Sequence, residues 1–545
     1  MTEDLDNEYI IKKLFDNDIQ VEISGNQYQA SFFVDGKKIE LFIALDECFP
    51  YEFPKVYYEG KTENHLKGVP HVNSDTTICC FDESKSFPNP LEPNDVIISC
   101  FLQAKNTIIS GIKGTNKEDF LDEFSAYWNN MAKSEFYLLS ELPTKCKALY
   151  YNLCDWCSFV SISKNTLKEK LEELGVTGED ADLYKGLYVP LDKAVTENPK
   201  THQNINDIVK NNSHFYEDYC SFLEREGDRG HLIIMSFEHN NSLILFGVLH
   251  KRITKLDGFR RGHVPLQLSL AHGLGNVKIK KYSIWDLTQK RLFTRGGDGK
   301  KRDIKVSLIG CGSLGGHLVN AFASCGVSRF KLVDKERLLE ENIARHICGF
   351  ESIGVKKTVA IKNALLLHNP NIECEIHYGS ANKLLENEPS FFNSTDIIIC
   401  TAANASLEKH LIDRFNEGQL GESLAIMWVE PYALCGHVLL LNKPQDIFRE
   451  FYDSALQFSD PIIVSSDSYY KREAGCQSTY MPYSGLNVNL FASSFVKDYI
   501  RGRYNPNNNY HIIWTSDLKN NSYGVEIYEK WNCLNDNSVR VERIK

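Results

Sequence analysis

The run from Lys305 to Arg345 most constrains this chain: an apolar strand enters Gly310-Cys311-Gly312-Ser313-Leu314-Gly315-Gly316, and a second apolar strand ends at Asp334. Glycines at such a turn let the backbone bend tightly and approach a phosphate. The helix that follows offers unpaired N–H groups and its positive dipole end to the anion. The run therefore predicts an α/β domain with a nucleotide site where strand meets helix. Just beyond, Leu332-Val333-Asp334-Lys335-Glu336 leads to Glu341-Asn342-Ile343-Ala344-Arg345, which adds a polar Asn and an Arg near the phosphates. An arginine so placed neutralises charge that develops on a triphosphate under attack, and a hydride carrier has less need of it.

The rest of the chain sets the frame for that domain. Its 545 residues are enough for two or three domains, and 42% apolar content is ample for ordinary cores. A net charge of −11 disfavours a general nucleic-acid binder. The acidic start Met1-Thr2-Glu3-Asp4-Leu5-Asp6-Asn7-Glu8 lacks the order of a secretory signal, and no run approaches the roughly 20 apolar residues of a membrane helix. These features predict a cytoplasmic protein without membrane or nucleic-acid partners. The sixteen cysteines are scattered, so most read as reduced, buried small hydrophobes.

Alternation from Ile19 to Leu45, broken by Gly25-Asn26 and Asp35-Gly36, predicts an antiparallel meander. A strand at Val56 to Tyr58 follows the Phe49-Pro50-Tyr51-Glu52-Phe53-Pro54 interruption. Helical periodicity resumes at Pro93 and again from Phe120 to Trp128. This is an α+β domain over residues 1–140. Residues 141–297 form a middle α/β linker domain, with helices expected at Thr166 to Leu174 and Asn206 to Glu226 and strands near His231 to Ser236 and Ser242 to His250. Arg295-Gly296-Gly297-Asp298-Gly299 reads as a flexible entry to the nucleotide domain, residues 298–545. Cys154-Asp155-Trp156-Cys157 has metal spacing but supplies half a zinc site, with no second pair visible, so no metal is assigned to it.

A glycine loop alone is also compatible with a Rossmann dehydrogenase. Further residues narrow the choice. Asp334 closes the second strand, where a carboxylate accepts ribose hydroxyls. Gly354-Val355-Lys356-Lys357 opens another helix, and Asp396-Ile397-Ile398-Ile399-Cys400-Thr401 forms a later buried strand that leads to Asn404. This order resembles the ThiF-like adenylating enzymes, the superfamily of ubiquitin-activating enzymes, over roughly residues 300 to 500. The resemblance implies that Gly310, Gly312 and Gly315 cradle phosphate and that Asp334 holds the ribose. It implies further that Asn342, Arg345 and Lys357, with Lys356 as the alternative to Lys357, contact the triphosphate of ATP with Mg2+. The family usually has an aspartate for magnesium just before the Asn after the fourth strand; here Ala403 stands there, leaving the metal ligand unknown.

Two cysteines are placed for thioester chemistry. Arg472-Glu473-Ala474-Gly475-Cys476-Gln477-Ser478-Thr479 puts a Gly-Cys step in a polar segment whose position resembles that of the catalytic cysteine of activating enzymes. In the first domain, His71-Val72-Asn73-Ser74-Asp75-Thr76-Thr77-Ile78-Cys79-Cys80 resembles the active site of ubiquitin-conjugating enzymes, as do the Phe49 to Pro54 segment and the Asp119 to Trp128 helix. Valine replaces the proline of that family's His-Pro-Asn motif, and the gap to the cysteine is shorter than usual. Cys79 aligns with the catalytic cysteine, and Cys80 reads as structural. The resemblance implies an oxyanion role for Asn73; His71 reads as a loop-ordering hydrogen-bond partner rather than a base.

The order of conjugating-like domain, middle domain and activating-like domain resembles the fused ubiquitin-transferase-like proteins of bacterial CBASS anti-phage operons, which act on a cGAS/DncV-like nucleotidyltransferase. The resemblance implies an ATP-dependent relay. A C-terminal glycine carboxylate is adenylated, passed to Cys476 and then to Cys79 as thioesters, and delivered to a target amine. It also implies a homodimer. The alternatives are the same chemistry on a dedicated ubiquitin-like protein and, in another class, a nucleotide-binding scaffold without catalysis.

Overall fold

A computed structural model describes residues 5–59, 66, 71–73, 75–81, 85–113, 117–226, 230–250, 256–260, 264–300, 302–472 and 479–545. The chain forms two compact units. One comprises residues 1–135, 143–148 and 185–284, and the other residues 136–142, 149–184 and 285–545. The whole is a multidomain protein of α/β and α+β parts. No helix among the described residues is long and apolar enough to cross a membrane.

In the first unit the expected meander is an antiparallel sheet, Gln20–Ser24, Gln27–Val34, Lys37–Ala44, Val56–Tyr58 and Thr77–Ile78, in sequence order. Tyr28 pairs with Ile43, Ala30 with Leu41 and Phe32 with Ile39, so the period-two pattern sends all six side chains to one buried face. The helices Asn7–Phe15 and Pro93–Lys113 cover that face with Ile10, Leu14, Ile97, Phe101, Ala104 and Ile108.

The same unit holds a second sheet, in which Tyr184–Pro190 runs parallel to His231–His239, and Ser242–His250 pairs antiparallel with both His231–His239 and Lys280–Asp286. The helix Phe124–Met131 packs on it. Phe124 and Trp128 are each 1% exposed and meet Phe246 edge-on at 5.1 and 4.9 Å, and the Trp128 indole N–H donates to the Tyr282 carbonyl at 2.9 Å. Spacing i, i+4 places both rings on one stripe of the helix.

Two expectations for the middle segment differ from the structure. The single helix over Asn206 to Glu226 is two helices, His202–Asn212 and Tyr216–Arg225. Ser213 breaks it by donating its hydroxyl to the Pro190 carbonyl and accepting the Phe215 N–H, a local alternative to the helical ladder. The entry at Arg295 to Gly299 is built into a helix end. It caps the helix Gln289–Gly296, with Gly299 left-handed and donating to the Phe293 carbonyl, and Arg302 is paired with Asp298 at 2.6 Å.

The second unit is built on an eight-stranded sheet in the order Glu373–Tyr378, Val327–Asp334, Arg302–Ile309, Ile397–Cys400, Ser423–Val429, Cys435–Leu441, Asn509–Thr515 and Ser538–Ile544. The first five strands are parallel and the remainder antiparallel. Leu318, Phe322, Ile361, Leu365, Phe491 and Phe495 fill one face, and Leu384, Phe392, Leu407 and Leu411 the other. Strand order reverses at Arg302–Ile309, whose neighbours lead away on opposite sides. A crevice opens at such a switch point beyond the carboxyl ends of the strands.

Trp128→Ala should cost about 3–5 kcal/mol locally, because the lost ring leaves a cavity between helix and sheet. Native-state hydrogen exchange over Phe124–Met131 reads that loss; unchanged protection would mean that other contacts hold the helix.

Candidate functional site

At the switch point, Gly310 turns with φ +96°, and a Cβ there would lie 2.9 Å from the Thr401 hydroxyl and 3.0 Å from the Ala402 nitrogen. A Cβ on Gly315 would lie 2.0 Å from the Gly310 carbonyl oxygen. These two glycines are required by the packing of the helix Ser313–Ser324 on its strand. Gly312, which precedes the helix, has φ −82° and no atom within 4 Å of a Cβ position. The protein itself makes no demand for glycine there, whereas a phosphate drawn to the helix N-terminus does, so the turn fits a nucleotide.

Asp334 holds the turn shut. One carboxylate oxygen accepts the Cys311 N–H at 2.6 Å and the other accepts the Glu336 N–H at 2.7 Å. Asn342 accepts the Leu339 N–H through its side chain, and its carbonyl accepts the N–H groups of Arg345 and His346. Arg345 is clamped from both sides. Its carbonyl accepts from the Ser313 hydroxyl and from His317, and its guanidinium donates to the Glu341 carbonyl and lies 5.0 Å from the centre of the Tyr483 ring. Gly485 backs onto it so closely that a Cβ there would lie 3.0 Å from the Arg345 Cα.

Lys357 and Lys356 have separate settings. The Lys357 side chain is 9% exposed and its amine is paired with Glu336 at 2.6 Å, and the Lys356 amine lies 4.2 Å from the centre of the Tyr378 ring. Ala403 adopts φ +47° and has no side-chain oxygen to offer a metal. Glu408, one turn further on, does not replace it: one oxygen accepts the Asn404 N–H and the other the Tyr452 hydroxyl, and burial pushes its carboxyl above the usual range. No magnesium carboxylate is therefore supplied at that position.

Sequence reasoning passed over His317, His346 and Tyr483. His346 is buried, donates from Nε2 to the Cys311 carbonyl at 2.9 Å and accepts the Cys348 N–H at Nδ1, so its tautomer is set by the backbone; burial holds its pKa below the ordinary value. Its place directly after Arg345 was the available signal.

Cys476 lies outside the described residues. The segment around it is anchored where it can be seen: Lys471 pairs with Tyr480 and Arg472 with Thr479, which brings the two ends together. Further upstream, the buried Glu430 carboxylate accepts the N–H groups of Ile462 and Ile463, each at 2.8 Å, and pairs with His437 Nε2 at 2.8 Å. His437 Nδ1 in turn meets His511 Nε2 at 3.1 Å. Burial opposes the charge on Glu430, but the His437 contact and the two N–H donors hold its pKa below the usual carboxylate range. His511 is pushed down to about 3 by burial and by His437 and Arg540.

In the first unit the Cys79 loop is a narrow hairpin. Cys79 N–H donates to the His71 carbonyl at 2.8 Å, and Asn73 N–H donates to the Thr77 carbonyl at 2.9 Å. The Asn73 amide donates to the Thr77 hydroxyl, which itself donates to Asp75. Cys79 is exposed, whereas Cys80 is half-buried, packs against the sheet core and has its thiol pushed up by burial. His71 lies beside Cys79, with Nδ1 2.8 Å from a Glu123 oxygen.

Residues 288–474 match the ThiF family and residues 10–137 match the prokaryotic E2 family B. One polypeptide thus carries a segment similar to the E2 family and a segment similar to the ThiF family. It is homologous along most of its length to the ATP-dependent ubiquitin transferase-like protein Cap2 of Pseudomonas aeruginosa, at 22% identity over 492 residues, 85% of this chain and 86% of that protein. The Cap2 of Vibrio cholerae is 20% identical over 503 residues, 81% and 82% of the two chains. The NEDD8-activating enzyme E1 regulatory subunit of Gallus gallus is 22% identical over 186 residues, 34% of this chain and 33% of that one.

Stability of the second unit should fall in acid. The unfolded His511 takes up a proton near pH 6.5, but the folded one does so only near 3, so its contribution is full above 6.5 and lost as pH falls, by about 1.4 kcal/mol per pH unit. Glu430, with a depressed folded pKa, adds a loss of the same sign below the usual carboxylate range. Denaturation at pH 7.5, 6 and 5 should give a shallower decline for His511→Gln than for the unsubstituted chain; equal slopes would show that His511 is not held neutral.

Proposed function

We propose that this ATP-dependent ubiquitin-transferase-like enzyme adenylates the C-terminal glycine of a partner protein and carries it as a thioester on Cys476 and then on Cys79. A target amine then receives it. The observation that carries this reading is one polypeptide with both a phosphate-fitting ThiF turn and an E2-type loop whose cysteine stands exposed.

The chemistry runs downhill in order. A carboxylate is inert to amines, so its oxygen first displaces pyrophosphate from the α-phosphorus of ATP, forming an acyl adenylate with a good leaving group. Arg345 and Lys357 neutralise charge gathering on the phosphates, Asp334 accepts ribose hydroxyls and Asn342 contacts the triphosphate. A magnesium ion bound with the triphosphate would supply further charge neutralisation there. A thiolate at Cys476 displaces AMP, and transfer to Cys79 preserves the activation until an amine forms the amide. Asn73, whose amide carries a second N–H beyond the one given to Thr77, donates to the oxyanion of that last step. Fusion of the two domains raises the effective concentration of the second thiol.

The partner in this reading is a cGAS/DncV-like nucleotidyltransferase, primed for anti-phage defence. A dedicated ubiquitin-like protein ending in glycine is the other candidate. The enzyme acts in the cytoplasm as a homodimer. Similarity to the Cap2 proteins over 81–85% of this chain supports the ubiquitin-transferase-like chemistry of this reading.

Incubation with ATP, magnesium and each candidate partner, read by non-reducing electrophoresis and intact mass, tests the relay. A thiol-sensitive adduct should be lost in Cys476→Ala and confined to Cys476 in Cys79→Ala. No adduct together with no ATP–pyrophosphate exchange would favour a nucleotide-binding scaffold. At the turn itself, Gly312→Ala should leave the fold intact and cut pyrophosphate exchange at least about tenfold by intruding on the phosphate. Full exchange in that variant would place the phosphates elsewhere.

A further inference from the structure

The helix that packs Phe124 and Trp128 on the second sheet of the first unit turns a different stripe toward Cys79. Glu123 precedes it and Tyr127 lies one turn in. The two side chains close a ring of hydrogen bonds around His71. The His71 backbone N–H donates to the Tyr127 hydroxyl, that hydroxyl donates to one Glu123 oxygen, and the other Glu123 oxygen pairs with His71 Nδ1 at 2.8 Å. Main chain and side chain of His71 are thus held by one turn of one helix.

Donor and acceptor rules assign the protons. A carboxylate only accepts, so Nδ1 carries the hydrogen that faces Glu123. Burial and the Glu123 contact push the Tyr127 hydroxyl well up, which keeps it a donor. Against the cost of partial burial, the bonds from His71 and Tyr127 hold the Glu123 carboxyl below its ordinary value, which keeps it an anion. An imidazole nitrogen, the Cys79 sulfur and a Glu123 oxygen all lie within 4.8 Å of one another. His71 holds this place in the left-handed region at φ +64°, an uncommon conformation for a residue with a Cβ.

We propose that His71 is the acid–base residue of the Cys79 site and that Glu123 is its positioning residue, with Tyr127 completing the brace. The proposal rests on Cys79 being an acyl carrier. The thiol proton of Cys79 passes to His71, and the resulting thiolate forms a bond to the carbonyl carbon of an incoming thioester. The bond from that carbon to the donor sulfur breaks, and the donor leaves as a thiolate that takes the proton from the imidazolium. In the second half an amine nitrogen bonds the same carbon and gives its proton to His71. The bond to Cys79 breaks, and its sulfur recovers that proton. The imidazole is neutral again after each half, and Glu123 stabilises its transient charge.

Alkylation of the full-length protein by iodoacetamide, followed per cysteine by peptide mass spectrometry from pH 5.5 to 9.5, tests this without any acyl donor. His71→Asn is the variant of choice because asparagine tolerates the left-handed backbone. Cys48, exposed in the same unit with its thiol pushed up by Glu52, burial and its acidic neighbours, is the internal control. At pH 7, Cys79 should react at least about tenfold more slowly in His71→Asn than in the unsubstituted chain. Glu123→Gln should give a smaller shift in the same direction, and Cys48 should be unchanged throughout.

Superimposable Cys79 profiles in the unsubstituted and His71→Asn proteins would overturn the proposal. So would one zinc per unsubstituted chain that is lost in His71→Asn, since the cluster would then be a metal site. Failure of the relay itself registers separately, as absence of an ATP-dependent adduct on Cys79 with the alkylation profiles still displaced.

Discussion

One turn of helix, Glu123 to Trp128, carries the organisation of the first unit. Its i, i+4 pairs point two ways: Phe124 and Trp128 are sealed against Phe246 and Tyr282, while Glu123 and Tyr127 grip the loop of Cys79. Apolar burial of about 25 cal/mol per Å2 fixes the first pair, and rigidity of the helix transmits that position to the second. The sheet contributed by residues beyond Tyr184 therefore has a structural consequence at the Cys79 loop. It is the floor on which the brace of His71 stands.

The nucleotide-binding unit depends on a different constraint, the close approach of helix to strand at Gly315 and Gly310. Because no side chain fits between them, the helix N-terminus sits directly above the sheet's switch point, and Gly312 is left open to a ligand. The backbone of Arg345 and His346 is then tied to this turn by Ser313, His317 and Cys311. Arg345 is thereby fixed relative to the glycine turn. Glu430 performs a comparable service on the far side. A buried carboxylate with three partners is costly to disturb, and two of those partners are the main chain of Ile462 and Ile463 on the way to the Cys476 segment.

Legibility in the sequence followed the range of the interaction. The meander, the glycine turn and the strand ending at Asp334 all follow from local pattern, and each is where that pattern puts it. The helix break at Ser213 was not legible, because its cause is the carbonyl of Pro190 on another element. The cap at Gly299 was missed for the opposite reason: glycines mark flexibility and tight capping alike, and only the acceptor at Phe293 distinguishes them.

The sequence by itself determined the residues on offer: a glycine turn between strand and helix, an arginine and a lysine beyond it, and two cysteines in polar segments. These are properties of residue type and short spacing. Only the tertiary structure decided which groups act on one another. His71 read along the chain is a loop residue; Tyr127 stands 56 residues further on and comes to it through the packing of a helix on a sheet. Glu430 likewise meets His437, His511 and the Ile462 backbone only once the strands are in register. Hydrogen bonds and ion pairs act over a few ångströms, and sequence separation says nothing about which distant groups burial will bring that close.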